Sequence, residues 1–368
     1  MKRLEVLESM RFVMIMQIVL SHLYFLGEVN GAVGIIYNYV FTNANCGVCF
    51  FFLLSGFGMT YASKTSDDYS LISLPYAIKR ISKIYPLYIV SILLCLPITI
   101  YLAITLHGVT DGLVRTISKV PLALALLQSL TGMAGFSHAF NGVCWFISAL
   151  FIIYIFYPLL NRFNNIIIKN SIKRVFGAII IIIVINVVTY YILYEVQTSL
   201  SERSSYFDDL AYGTPYYRIF NFMLGILICD LYKKYQHNNY AKVIVSKLEI
   251  PVMILMSLYY IFRHEFDHLL YLQVFLDLFV PGILLFVFSF EQGRISGFLK
   301  NKYFLYLGSL SMYIFLFHSV AIGNIVPFID LFTLSINDRA IISLLLVVVC
   351  TILLICFTEN FYKKILHK

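Results

Sequence analysis

Ten predominantly apolar stretches, near residues 10–27, 39–62, 84–106, 143–160, 175–196, 216–235, 250–263, 269–290, 303–327 and 340–362, constrain this chain more than any other feature. A helix needs about 20 such residues to cross the hydrocarbon of a bilayer. Backbone polar groups in lipid must be satisfied within a helix or a closed barrel. Unbroken runs such as 179–188 lack the alternation of a barrel strand. The expectation is an all-α, polytopic integral membrane protein with about ten transmembrane helices, forming a single membrane-embedded domain over residues 1–368. Composition argues the same way. Only 12% of the residues are charged and the mean hydropathy is +0.85, about half the charge of a typical soluble domain. That is too little to cover a globular surface, which argues against a soluble enzyme, a disordered chain or a secreted disulfide scaffold.

Charge placement sets the orientation. With the N-terminus in the cytoplasm, 21 of the 27 Lys and Arg residues fall on cytoplasmic segments. Six fall outside: Arg115, Lys119, Arg203, Arg218, Arg263 and Arg339. This asymmetry is the positive-inside pattern for an even number of spans, with both termini cytoplasmic. The run 119–133 is interrupted and reads as an interfacial or re-entrant helix; as a full span it would invert everything after it. The net charge of +8 is then loop charge facing anionic lipid heads, and no nucleic-acid partner is needed. The first run carries Gln17 and His22 and reads as a retained span rather than a cleaved leader. Seven cysteines, all in or near apolar runs, read as buried free thiols. The Cys46-x-x-Cys49 pair stands alone and makes a weak metal or redox site, so no metal is expected.

Ionisable residues inside apolar runs are costly and mark candidate functional sites. Arg11 and His22 are eleven residues apart, about 16 Å along a helix axis and close to three turns, so they share a face. His22 reads either as an interhelical hydrogen-bonding residue or as a general base, its ordinary pKa near 6.5 suiting proton removal from a hydroxyl. His318 and Asp277 fall at a comparable outer depth, about 22 Å and 12 Å along their own runs. The three are expected to approach one another, with the carboxylate orienting a histidine. Glu359 is expected to neutralise Arg11. Arg80 and Lys83, three residues apart before the third run, are expected to share a face and suit a phosphate-rich cytoplasmic ligand. Tyr206, Tyr212, Tyr216 and Tyr217, in or beside the long outer segments 107–142 and 197–215, offer aromatic faces suited to stacking on a ring-bearing ligand.

Several motifs occur together, in order and spacing. They are Arg11-x10-His22, ending Val19-Leu20-Ser21-His22; Phe51-Phe52-Leu53-Leu54-Ser55-Gly56-Phe57; and Lys79-Arg80-x-x-Lys83-Ile84-Tyr85-Pro86. Trp145-Phe146-Ile147, Phe222-Met223-Leu224-Gly225 and the run Leu307-Gly308 to His318 follow, with Glu359 in the last run. Nearly end to end, the chain resembles the membrane-bound acyltransferase 3 family, which O-acylates cell-surface glycans. The resemblance implies a ten-span protein of the bacterial cytoplasmic membrane. It would take an acyl group, most often acetyl, from cytoplasmic acyl-CoA and pass it to a sugar hydroxyl at the outer face. It implies His22 and Arg11 as the catalytic pair. Arg80 and Lys83 would lie on the acyl-CoA, and Trp145, His318, Asp277 and Glu359 would be further substrate-binding residues. Its partners would be acyl-CoA as co-substrate, a surface glycan or lipid-linked oligosaccharide, membrane lipids and further copies of the chain. The sequence departs from the family pattern at Cys49 and Leu150, where many members carry acidic residues, at Lys83, where they carry Arg, and after Glu359, where Asn360-Phe361 follows. The alternatives are a polysaccharide exporter or flippase, to which intramembrane polar groups would also suit, and a non-catalytic membrane sensor or scaffold.

Overall fold

The computed structural model describes residues 3–63, 71–168, 171–201, 209–266 and 268–366. Lys2, Lys64, Lys169, Arg203, Tyr206 and Lys368 lie outside the described residues. Sixteen α-helices are joined by short 3-10 and π turns, and no strand occurs among the described residues. In order they are α1 (Glu5–His22), α2 (Ala32–Ile36), α3 (Asn45–Ala62), α4 (Leu74–Ile81), α5 (Tyr85–His107), α6 (Val109–Leu124), α7 (Ala134–Ser137) and α8 (Trp145–Ile168). Then come α9 (Ile172–Ser201), α10 (Pro215–Tyr235), α11 (Asn239–Phe262), α12 (Leu270–Ser289), α13 (Arg294–Leu299), α14 (Lys302–Ser309), α15 (Ser311–Ile329) and α16 (Ile336–Leu366).

Each of the ten apolar runs is largely helical, the ninth as two helices. Seven helical stretches, built on α3, α5, α8, α9, α12, α15 and α16, are long and apolar enough to cross a membrane. The chain is a multi-pass membrane protein. The other three runs fall on α1, α10 and α11, which carry Glu5, Glu8 and Arg11; Arg218, Asp230, Lys233 and Lys234; and Lys242, Lys247 and Glu249. On α10 two of the polar groups, Arg218 and Asn221, are interior, whereas Lys234 at the far end is exposed. This helix packs against α3, α8, α9 and α12, and Arg218 and Asn221 are fully buried. Its tightest partner is α3. At that crossing a Cβ on Gly56 would collide with the Phe222 backbone, and one on Gly225 with the Leu53 backbone. Two small residues thus let the helix backbones touch, the usual way of packing helices where lipid removes the hydrophobic drive.

Three boundaries differ from the sequence reading. The first helix spans 5–22 rather than 10–27: the chain leaves helical geometry at Leu23 and turns through Tyr24–Glu28. His22 therefore ends α1. The ninth run is two helices, parted at Leu310 where the close approach of Gly308 to the Glu8–Ser9 backbone locks α14 against α1. The helix read at 119–133 instead begins at Val109, directly after Gly108, whose φ of +80° permits the reversal. α6 then runs back along α5 as far as its first turn, where the Tyr85 and Tyr88 hydroxyls donate to Leu124 O (2.9 Å) and Ala123 O (2.7 Å).

Candidate active site

Arg11, Ile15, Ile18 and His22 stand at spacings of four, three and four residues, one stripe of a helix. All four line a single cavity of about 220 Å³. Its other walls are Val48 and Phe51 of α3, the His138–Phe146 segment, Tyr212, and the start of α15 from Ser311 to Ser319. Arg11 and His22 therefore lie toward opposite ends of one interior space, about three helical turns apart. His22 is half-buried and the Arg11 side chain is 29% exposed, so neither is sealed in packed hydrocarbon.

The His22 Nδ1 lies 2.7 Å from Ile18 O. A carbonyl only accepts, so Nδ1 carries the proton and the neutral ring keeps its lone pair on Nε2. His318 repeats the arrangement, with Nδ1 2.9 Å from Ile314 O. The two rings meet edge to face, centroids 5.2 Å apart. His318 is buried, and its Nε2 has no hydrogen-bond partner among the described residues.

The third member expected here, Asp277, is elsewhere. It accepts from Tyr259 Oη (2.6 Å) and Asn45 Nδ2 (2.7 Å) and lies 3.7 Å from Arg263. It does not orient a histidine. The histidine that does share the cavity with His22 is His138. Its Nδ1 faces Gly142 O at 2.8 Å and its Nε2 faces Asp209 Oδ2 at 3.4 Å. Both ring nitrogens thus meet oxygen acceptors. Its segment has no periodicity and its carboxylate partner is 71 residues away, so no local pattern marks the pair.

At the other end of the cavity, Arg11 pairs with Glu8 one turn earlier (3.2 Å) rather than with Glu359. The i, i+3 neighbour on the same helix needs no tertiary coincidence. Glu359 instead accepts from Tyr306 Oη at 3.0 Å. Arg80 donates to Tyr76 Oη (3.2 Å) and sits 5.3 Å from the centre of that ring. Lys83 falls in the turn between α4 and α5, so the two cations straddle a helix end instead of sharing one helix face.

Trp145 forms part of the cavity wall and is edge-on to His138. Behind it stands a group that the sequence reading counted only as outside charge. Arg218 is fully buried, donating to Tyr212 O (2.8 Å), Asn45 Oδ1 (3.1 Å) and Cys49 Sγ (3.5 Å). The rings of Tyr212, Tyr217, Trp145 and Phe52 surround its guanidinium at 4.6–5.7 Å. Asn45 bridges it to Asp277. A charged residue inside the run 216–235 was the available signal. Of the tyrosines proposed for stacking, Tyr212 lines the cavity, Tyr217 is buried against Arg218, and Tyr216 donates to Leu130 O. Cys46 and Cys49 are free thiols. No group of His, Cys, Asp and Glu suited to a metal occurs among the described residues.

A family model described as an acyltransferase domain matches residues 4–358. No curated protein and no solved structure matches the chain.

Proposed function

The chain belongs to the acyltransferase 3 family, and from that premise we propose that it carries an acyl group, acetyl above all, from cytoplasmic acyl-CoA to a hydroxyl of a cell-surface sugar. The observation that carries this reading is the single cavity lined by both Arg11 and His22. One end suits the donor and the other the acceptor. In the reading, ten helices cross the bacterial cytoplasmic membrane with both termini inside. The Arg11 end, with Arg80 and Lys83, faces cytoplasmic acyl-CoA, and the His22 end faces the glycan or lipid-linked oligosaccharide.

His22 takes the proton of the sugar hydroxyl on Nε2, the nitrogen left basic by the Nδ1 bond to Ile18 O. The sugar oxygen attacks the thioester carbonyl carbon, a tetrahedral oxyanion forms, and the C–S bond breaks. The imidazolium returns its proton to the departing thiolate, giving the O-acyl sugar and free CoA. Trp145 and Tyr212 supply flat apolar faces suited to a sugar ring. His318, edge-on to His22, limits that ring's rotation. Direct transfer is favoured over an acyl-protein relay. Ser55 is hydrogen-bonded to Phe51 O (2.8 Å) and Cys49 is buried against Arg218 and Asn221 (3.1 Å), and neither lines the cavity.

The test is purified protein with acetyl-CoA and an oligosaccharide from the same cell envelope. The expected outcome is a sugar product heavier by one acetyl group, together with free CoA. Surface glycan that loses export but keeps its acylation when the gene is removed would refute the reading in favour of an exporter.

A further inference from the structure

Gly177, inside α9, differs from the glycines at the α3–α10 crossing. Gly56 and Gly225 let two backbones touch, whereas a Cβ added at Gly177 would meet no atom within 4 Å. A glycine there weakens the helix relative to alanine, and no protein contact requires it. What the missing side chain does is keep open a cavity of about 430 Å³ between α8, α9 and α10. Phe163, Ile167, Ile181 and Ile185 line this cavity and are exposed, so it is a groove along the outside of the bundle. Its lining is apolar except for Arg174 and Asn164. Asn164 donates its amide to Asp230, at 2.6 Å, and Asp230 does not line the groove.

The dimensions select the occupant. Arg174 and Ile185 both line the groove and are eleven residues apart on α9, about 16 Å along its axis. That is the depth of one leaflet, half of a hydrocarbon core about 30 Å thick. Spread over that length, 430 Å³ averages about 27 Å² in cross-section. A helix about 10–12 Å across needs roughly three times as much. The groove therefore admits an extended hydrocarbon chain and is too thin to take in a helix. Arg174 is the one charged residue of the lining. It is exposed, donates to Ile167 O at 3.4 Å, and has no carboxylate partner among the described residues. With the orientation read from the charge asymmetry, Arg174 stands at the cytoplasmic surface, where anionic lipid heads lie.

We propose that this groove binds one anionic phospholipid of the cytoplasmic leaflet, its phosphate on Arg174 and one acyl chain along Gly177, Ala178, Ile181 and Ile185. Arg174, Ala178, Ile181 and Ile185 follow at spacings of four, three and four residues, so cation and apolar track share one face of one helix. An apolar groove alone takes any chain, and a lone exposed cation holds any anion weakly. Aligned on one face, the two recognise the head and the chain of a single molecule. The chain would rest on Phe220 and Met223 of α10 and so brace α9 against α8 and α10. The site lies apart from the cavity of Arg11 and His22, shares no lining residue with it, and does not depend on the acyl-transfer reading.

Native mass spectrometry of the detergent-solubilised full chain tests this, with phosphatidylglycerol, phosphatidylcholine of the same chain length and glycerol phosphate as probes. The expected result is one phosphatidylglycerol per chain, bound about fivefold tighter than phosphatidylcholine, the worth of one cation beside an anionic head. Glycerol phosphate, which has no chain, should bind far more weakly. Arg174→Gln should bring the two lipids to equal affinity. Gly177→Leu, whose side chain would stand in the groove, should remove the tightly bound molecule of either lipid and leave the melting temperature unchanged. Equal binding of the two lipids to the wild-type chain overturns the site, and so does phosphatidylglycerol binding that survives Gly177→Leu. Glycerol phosphate binding as tightly as phosphatidylglycerol would mean that the groove plays no part, which also overturns it. A Gly177→Leu chain that falls from dimer to monomer, with no lipid lost, would give the groove to a second copy and overturn the proposal. The wild-type comparison and Arg174→Gln decide even if Gly177→Leu does not fold.

Discussion

Replacing His22 separates chemistry from folding more cleanly than any other change at this site. In the native chain the ring makes one hydrogen bond, Nδ1 to Ile18 O, and one edge-to-face contact with His318. Those are worth about 0.5–1.5 kcal/mol each, and the side chain is only half-buried. Losing both costs folding about 1–3 kcal/mol and leaves Arg11, Ser311 and Arg80 untouched. Losing a general base costs about 100- to 10,000-fold in rate, or about 2.7–5.5 kcal/mol of barrier. His22→Gln is the sharper variant, since it keeps a hydrogen-bonding group at the position and removes the basic nitrogen. Acetyl transfer should be measured with purified protein at saturating acetyl-CoA, beside CoA binding on the same sample. The expected outcome is kcat down by at least about 100-fold with CoA affinity unchanged. His318→Phe, which keeps an aromatic ring beside His22 and gives up the Nδ1 bond to Ile314 O together with the unpartnered Nε2, should lose far less rate. If His22→Gln binds CoA normally and turns over within a factor of ten of wild type, His22 is not the base and the mechanism fails.

Arg80→Ala should raise the KM for acyl-CoA several-fold at low salt and leave kcat unchanged. The gap should narrow as salt rises, because Arg80 is exposed and its attraction is screened; a salt-independent effect would count against a phosphate contact. Arg218→Met should destabilise the fold by about 3–5 kcal/mol, because it removes one hydrogen-bond donor each from buried Asn45 and Cys49 and breaks the chain of contacts that runs through Asn45 to Asp277. Arg218→Lys should not restore the melting temperature, since a point charge cannot reproduce the planar fork among four aromatic rings. Gly225→Ala should lower the melting temperature through about 1–3 kcal/mol of overpacking, its new Cβ falling on the Leu53 backbone; a wild-type melt would mean that α3 and α10 do not touch there.

What could be read from the chain divides along one physical line. Features fixed within a single helix were legible. Apolar length marks a helix, and the Arg11 to His22 spacing fixes a shared face whatever surrounds it, because three turns of one helix need no partner. Features that depend on how helices are rotated against one another were not. Asp277, at a plausible depth, faces Tyr259 and Asn45 rather than a histidine, and His138 arrives instead from a segment without periodicity. Arg11 takes the carboxylate on its own helix, which depth counting against Glu359 could not weigh. Arg218 shows what the missing information is worth. Its run is apolar, its charge must be neutralised in the interior, and no acidic residue lies within two turns of it on α10. A cation so placed must find its stabilisation from other elements: four aromatic faces, an asparagine leading to Asp277, and a thiol. The aromatic wall of the cavity and the buried charge behind it are therefore one construction. Trp145 and Tyr212 both line the cavity and both lie against the Arg218 guanidinium, 5.5 and 4.6 Å from ring centre to charge.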